Sequence, residues 1–403
     1  MSSAAVPARP ISLMLVCGEP SGDQLGAQLM AGLRAVAGGS VSFSGVGGTA
    51  MAAQGLISLF PLNDTAVMGL REVVPKIPVI LRRVREATDF ALASRPDAVI
   101  LIDSPDFTHR IAQRLKRLAP EIPTINYVAP QVWASRAYRA RKMARYFDLV
   151  LALLPFEAPF FEKHGLRAVF AGHPVIERAS HIAGGERLRA RLGIAPSAPL
   201  LAVLPGSRTN EIRFILPVFR AAVERIAAQL PQLVTVLPTV PHVASRVRIG
   251  TAGWPTPLHI LETESDKYAA FDAADAALAA SGTVTTELAL ARTPMVVAYK
   301  VGALTFLLAR PLMLVRYFTL VNLLLDRMAV PEFMQSSATP ETLAREVLTL
   351  LRDGDAAARQ VLDLERATGL LGRGGEAPSL RAARAILAFV SERTGPQRLA
   401  SGM

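Results

Sequence analysis

The sequence predicts an α/β protein of two doubly wound, parallel-sheet domains facing a central cleft. Three observations carry this expectation. Apolar runs end abruptly in turn residues, as in Ala98–Asp106 (AVILIDSPD), the pattern of a strand buried on both faces. Strand and helix patterns alternate through the first half and restart at Leu200–Leu204 (LLAVL) after a polar stretch. At 403 residues the chain exceeds one ordinary core. The expected boundaries are 1–175, 176–375, and 376–403 for a C-terminal helix and tail that could pack back on the first domain.

Apolar residues make up 51% of the chain and charged residues 19%, which excludes a disordered protein. A single cysteine, Cys17, cannot form an internal disulfide and fits a reducing compartment. Met1–Pro10 lacks the apolar core of a signal peptide. The net charge of +11 points to an anionic partner: nucleic acid, membrane surface or phosphorylated substrate. An aromatic content of 6% argues against a stacking platform for single strands. No window is long and clean enough to span a bilayer. The nearest, Val301–Leu325, is interrupted by Arg310, Pro311 and Arg316. It is expected to lie at a membrane interface, the alternative being that it packs inside the protein or against a second subunit.

Ser12–Cys17 is the first strand, followed by the loop GEPSGD (Gly18–Asp23) and a helix. The loop lacks the Gly-Lys-Ser/Thr ending of a P-loop, and its acidic residues would repel phosphates. Its small residues admit a polar ligand, so Glu19, Ser21, Gly22 and Asp23 are contact candidates. The alternative is a tight turn with Asp23 near the helix N-terminus, where the dipole favours it. Val41–Ser44 leads into GVGGTA, whose glycines, with Asp64 beyond, loosely fit a dinucleotide fingerprint. Following a second strand rather than a first, they are better explained by close packing of turn on sheet. Met68–Ala87 carries two prolines and then a basic helix. Ala98–Ile102 delivers Asp103 to a strand's carboxyl end, where ligands bind in open parallel sheets. Asp106 is expected to cap the helix Phe107–Leu118. After the strand Thr124–Val128, the residues Arg136, Arg139, Arg141, Lys142 and Arg145, interleaved with aromatics, form a face suited to anions. Asp148–Leu154 and Val169–Phe170 complete the first set of strands, and Ile176–Ala198 reads as the connection between domains. The second set is Leu200–Leu204, Leu233–Leu237, His259–Leu261, Ala276–Ala279 and Met295–Tyr299.

Two turns in the second half are ready for an anion. Gly206 and Ser207 of PGSR place free backbone N–H groups between strand and helix, and Arg208 adds a guanidinium fork. Ser281, Gly282 and Thr283 do the same at a second strand end. Glu287 sits one helical turn beyond, where its side chain can reach back to ribose hydroxyls. Together they suggest a nucleoside diphosphate. With Asp103 in the other domain they suggest group transfer, Asp103 serving as the base that an inverting transfer from a nucleotide sugar needs. The scattered histidines form no metal box, so neither a metal nor a cofactor is expected.

The segments GEPSGDQLGA, GVGGTAM, MGLREV, IDSPDF, YVAPQVWA, LPFE, GHP, LPGSR, ASGTVTTELAL, MVVAYK and VPEFMQ occur in this order across most of Ser12–Gln335. The ordered set resembles the lipid-A-disaccharide synthase family. The resemblance implies a GT-B glycosyltransferase of two Rossmann-like domains, peripheral on the cytoplasmic face of the inner membrane. It would join UDP-2,3-diacylglucosamine to 2,3-diacylglucosamine 1-phosphate (lipid X), giving the β-1,6 disaccharide 1-phosphate and UDP. By motif, Asp103 of IDSPDF is the implied base, Arg208 of LPGSR the diphosphate or donor contact, and Glu287 the ribose partner. Asn322 of LVNLL resembles a polar position near the donor. No metal and no nucleic-acid partner is implied, and a homodimer is left open. Ser135 departs from the family's usual VWAW, which touches an acceptor or lipid contact rather than the reaction. Two rival readings stand beside this one: a non-hydrolysing UDP-sugar epimerase, which uses the same two-domain fold, and a non-catalytic basic protein for membranes or nucleic acid.

Overall fold

The computed structural model describes residues 10–38, 40–65, 70–134, 138–302 and 316–394. The chain divides into two compact units: Met1–Pro174 with Gly375–Met403, and Val175–Gly374.

The first unit holds β1 (Ile11–Cys17), α1 (Pro20–Ala37), β2 (Val41–Val46), α2 (Thr49–Ala53), α3 (Leu70–Ser94), β3 (Ala98–Ile102) and α4 (Pro105–Leu118). It continues with β4 (Thr124–Tyr127), α5 (Tyr138–Met143), β5 (Leu149–Ala152), α6 (Glu157–Lys163) and β6 (Ala168–Phe170). The six strands are parallel in the order β2-β1-β3-β4-β5-β6. β3 lies inside the sheet and is buried on both faces. Val99 and Leu101 enter one core with Ile111 and Leu115 of α4, while Ala98, Ile100 and Ile102 enter the other with Leu29 and Leu33 of α1. Each such Val, Leu or Ile contributes about 1.5–3 kcal/mol of burial free energy, so the strand's end is a rigid mount. The helix Pro378–Thr394 packs on α1 in this same unit. Gly32 permits the contact, since a Cβ there would stand 2.8 Å from the Ser379 carbonyl oxygen.

The second unit holds α7 (Gly185–Arg191), β7 (Leu200–Leu204), α8 (Thr209–Ala227), β8 (Val234–Pro238), α9 (Pro241–Gly250) and β9 (Leu258–Leu261). It continues with α10 (Glu264–Ala273), β10 (Ala276–Ala280), α11 (Thr283–Ala291), β11 (Met295–Tyr299), the helix Leu320–Leu325 and β12 (Glu332–Met334). Its sheet is parallel, in the order β12-β11-β10-β7-β8-β9.

Each sheet therefore has a point where its winding reverses. In the first it lies between β1 and β3, in the second between β7 and β10. Ligands of open parallel sheets bind in the crevice just beyond such a point.

Three sequence expectations change. Residues 176–198 are structured rather than a bare connection: the Gly185 N–H donates to Asp272 Oδ2 at 2.8 Å, and Arg189 binds the Ala273 carbonyl, fastening α7 to α10. The prolines at 75 and 78 do not delay the helix, which runs continuously over the 25 residues Leu70–Ser94, although an interior proline costs about 3 kcal/mol through its lost N–H and its ring's clash with the preceding turn. The edge strand β12 was not foreseen, being only three residues long.

Candidate functional site

In the first unit, the loops leaving β1 and β3 flank the reversal point, with Cys17 beside Ile102 in register. Asp103 and Ser104 follow β3 with φ of 52° and 45°, and Val128 follows the neighbouring β4 with φ of 71°. Left-handed backbone at non-glycine residues costs roughly 1 kcal/mol or more apiece and persists only where neighbours impose it. Here the Asp103 N–H donates to the Tyr127 carbonyl at 3.0 Å, and Thr108 Oγ1 donates to the Asp103 carbonyl at 2.6 Å. The backbone is thereby fixed, while the carboxylate is left lightly engaged. Ser21 Oγ, from the first turn of α1, donates to Asp103 Oδ2 at a long 3.5 Å. Glu19 lies close by. Partial burial, and then the negative charges of Asp103 and Asp106, hold its carboxyl above the usual carboxylate range.

The rest of GEPSGD is structural, which corrects the expectation for Gly22 and Asp23. A Cβ on Gly22 would stand 2.9 Å from Cys17 Cβ, so this residue sets the approach of α1 to the sheet. Asp23 is 5% exposed and accepts the N–H groups of Gly48, Ala50 and Met51 at 2.7, 2.9 and 3.0 Å. It caps α2 instead of facing a ligand. The fingerprint glycines are likewise packing residues: a Cβ on Gly45 would meet the Leu15 carbonyl oxygen at 1.9 Å. Asp106 does not cap α4 either. Ser104 flanks that helix, and Asp106 lies inside its first turn.

In the second unit, Pro205–Arg208 leaves β7 and Ser281–Gly282 leaves β10, again on both sides of the reversal point, with Leu204 beside Ala279. Gly206 has φ of 103° and turns the chain into α8. The N–H groups of Ser207 and Arg208 point at an anion, and that anion is the protein's own: Glu211 Oε2 accepts them at 3.0 and 3.2 Å. Nε2 of His242 donates to the Ser207 carbonyl at 2.8 Å and steadies the turn. The Arg208 side chain is 72% exposed. At the second turn, Gly282 and Thr283 are exposed at the start of α11, and no side chain caps that helix. Glu287, 4% exposed, accepts Arg178 Nη1 at 2.7 Å, the Tyr268 hydroxyl at 3.0 Å and Lys267 Nζ at 3.2 Å. Two surface cavities of this unit, of about 300 and 620 Å³, lie elsewhere: one by Arg187 and Asp266, the other by Arg225 and Arg352.

On the basic face, Arg139, Arg141, Lys142 and Arg145 are exposed along and just after α5. Arg136, Ser135 and residues 303–315 of the apolar segment lie outside the described residues. Among the described residues no helix is long and apolar enough to cross a membrane, and no cluster of His, Cys, Asp or Glu is arranged to hold a metal ion.

A family profile described as lipid-A-disaccharide synthetase matches residues 13–381. The chain belongs to the lipid-A-disaccharide synthase family. A lipid-A-disaccharide synthase of Rhodospirillum centenum is 49% identical over 385 residues, spanning 96% of both chains. Among solved structures, the UDP-GlcNAc 2-epimerase of Neisseria meningitidis bound to UDP-GlcNAc superposes with a TM-score of 0.59 at 12% identity, covering 95% of this chain and 99% of that one. CalG4, the calicheamicin glycosyltransferase, superposes with a TM-score of 0.59 at 17% identity, covering 96% and 100%. These likenesses place the chain in the two-domain α/β fold shared by GT-B glycosyltransferases and such epimerases.

Within this lipid-A-disaccharide synthase relative, one residue singled out by motif departs from its expected place. Asn322 is fully buried: its Nδ2 donates to the Val330 carbonyl at 2.8 Å, and its Oδ1 accepts the N–H groups of Ala329 and Val330, both at 2.8 Å. It staples the helix Leu320–Leu325 to the following turn; with its amide oxygen fully used and its side chain 0% exposed, it presents no surface to a donor. Other residues were missed by the sequence reading. Trp133 does not interleave with the basic run; its indole N–H donates to Glu157 Oε1 at 2.9 Å, and Glu157 Oε2 holds the N–H groups of Leu153 and Leu154. Glu211 stands three positions after Arg208, a capping-box spacing that could have disclosed it. Arg178 lies 109 residues from Glu287, and no local pattern joins them.

Proposed function

We propose that this chain transfers the sugar of UDP-2,3-diacylglucosamine to 2,3-diacylglucosamine 1-phosphate, giving the β-1,6-linked disaccharide 1-phosphate and UDP. Family membership makes it an enzyme of lipid A disaccharide synthesis; the proposal concerns substrates and residue roles. The carrying observation is Asp103, a lightly engaged carboxylate on an immobilised backbone at the reversal point of the first sheet. Asp103 takes the proton from the acceptor's 6-hydroxyl. That oxygen attacks the donor's anomeric carbon, the bond from that carbon to the diphosphate oxygen breaks on the opposite face, and UDP departs with the electron pair. Such proton transfer typically contributes a factor of about 10²–10⁴.

The leaving diphosphate is neutralised by Arg208, the N–H groups at Gly206–Arg208 and the turn Ser281–Thr283. Glu211 yields the N–H groups of Ser207 and Arg208 when the phosphate arrives. Glu287 receives ribose hydroxyls. Glu19 and Ser21 contact the acceptor beside Asp103. No cofactor enters this scheme. Arg139, Arg141, Lys142 and Arg145 meet the anionic lipid headgroups of the inner membrane's cytoplasmic face; the described end of the apolar segment does not share in this, since Val321 and Asn322 are buried and Leu324 and Leu325 pack against the second unit's core.

The test is product analysis. Purified protein is incubated with the two lipid precursors, and the products are identified by mass spectrometry and linkage analysis. A β-1,6 disaccharide with stoichiometric UDP supports the proposal. Epimerised donor without disaccharide, or no reaction, rejects it.

A further inference from the structure

Arg178, Lys267 and Tyr268 load the two oxygens of Glu287 unequally. Oε1 accepts Arg178 Nη1 at 2.7 Å, the Tyr268 hydroxyl at 3.0 Å and Lys267 Nζ at 3.2 Å. Among the described residues, Oε2 accepts Lys267 alone, at 3.2 Å. A carboxylate offers about four lone-pair sites, so the unspent capacity lies on Oε2. Glu287 sits in the first turns of α11, and its side chain leans toward that helix's N-terminus, where Gly282 and Thr283 are exposed.

The three donors are a built constellation. Tyr268 is 1% exposed, and its hydroxyl is held protonated: burial, and then the neighbouring Glu287 charge, push its pKa up, so it stays a donor. Lys267 Nζ stands 4.2 Å from the Tyr268 ring centroid, which fixes the ammonium between ring and carboxylate. Arg178 comes from the turn Pro174–His181, far away in sequence, and makes the shortest of the contacts. A carboxylate buried this deeply needs such compensation. Three donors converging on one oxygen also restrict rotation of the group, and this goes beyond what charge balance requires.

We propose that Arg178, backed by Lys267 and Tyr268, is a positioning residue for nucleotide recognition: by anchoring Oε1 of Glu287 it presents Oε2 to a ribose hydroxyl of the donor and so sets the preference for ribonucleotide over deoxyribonucleotide. The inference rests on the reading of Glu287 as ribose partner. It adds that discrimination is made by a residue outside every motif of the nucleotide site.

The experiment measures dissociation constants of UDP and 2′-deoxy-UDP by calorimetry for wild type, Glu287→Ala, Arg178→Ala, Arg178→Lys and Tyr268→Phe, with thermal unfolding as a check on folding. Wild type prefers UDP by about tenfold or more, the size of a hydrogen bond to a charged acceptor. Glu287→Ala abolishes the preference. Arg178→Ala reduces it to within about twofold, Arg178→Lys restores part of it, and Tyr268→Phe, which keeps the ring, lowers it by a smaller factor. A purely structural Arg178 would weaken both nucleotides equally and leave the ratio intact. That result, in the presence of a Glu287-dependent preference, overturns the inference and leaves the ribose reading standing. A wild type that binds both nucleotides equally overturns the ribose reading itself. If Arg178→Ala does not fold, Tyr268→Phe decides: an unchanged ratio there rejects the proposal.

Discussion

Replacing Asp23 with alanine should damage the first unit's stability rather than its ligand binding. The carboxylate holds three backbone N–H groups at 2.7, 2.9 and 3.0 Å, at a position 5% exposed. Hydrogen bonds to a charged acceptor contribute about 1.5–3 kcal/mol each, and each buried donor left without a partner costs about 1–3 kcal/mol. The three share one acceptor and are not additive. Water can also reach Gly48 and Ala50, which are only partly buried. The expected loss is about 3–5 kcal/mol, a large share of an ordinary domain's stability. Asparagine is a graded control. Oδ1 serves Gly48 and Met51 while Oδ2 serves Ala50, so an amide oxygen in the Oδ1 place keeps two bonds and opposes its NH₂ to the third donor. Asp23→Asn should lose about half as much. The chain's two tryptophans fall one in each unit, Trp133 and Trp254. In a Trp254→Phe background, urea unfolding followed by fluorescence therefore reports the first unit alone. With a slope near 2 kcal/mol per molar, the midpoint should fall by roughly 1.5–2.5 M for alanine. An unmoved midpoint together with a tenfold rise in acceptor KM would refute the reasoning and return Asp23 to the ligand site.

Other expectations follow from the same geometry. Arg208→Ala, at a side chain 72% exposed, should leave stability unchanged and lower kcat/KM by the equivalent of about 2–4 kcal/mol; wild-type kinetics would remove it from the site. Asn322→Ala strands three backbone groups and should cost about 2–4 kcal/mol, read from Trp254 in a Trp133→Phe background; full stability with a raised donor KM would contradict its structural assignment. Burial, and then the Arg139 charge, hold His109 down at about 4, below the usual imidazole value of about 6.5. Protonation therefore favours the unfolded chain, so stability present above pH 6.5 is lost as pH falls toward 4, by about 2 kcal/mol between pH 8 and pH 5. A stably folded His109→Phe should flatten that loss, and an unchanged pH profile would show that His109 is not its source.

The sequence made the strand ends legible because parallel strands buried on both faces read as unbroken apolar runs. AVILI stops at Asp103 and LLAVL stops at PGSR, and the structure puts both ends at reversal points. The reversal points themselves were not legible, because strand order depends on pairings between segments distant in the chain. The same limit hid the partners that decide what each polar residue does. Asp23 and Glu19 stand in one loop and look equivalent, yet one is consumed by α2 and the other lies beside Asp103. Asn322 carries the family's letter, but its bonds go to residues 329 and 330. Backbone strain at Val128 has no signature in YVAP, since a β-branched residue is among the least expected in that conformation.

The role of Asp103 is tested most directly by Asp103→Asn, which keeps the side chain's size and an acceptor for Ser21 but cannot take a proton. In a single-turnover reaction of UDP-2,3-diacylglucosamine with 2,3-diacylglucosamine 1-phosphate, disaccharide formation should slow by about 10²–10⁴-fold while UDP affinity stays within about twofold of wild type. Turnover within a few-fold of wild type would contradict the assignment of Asp103 as the base.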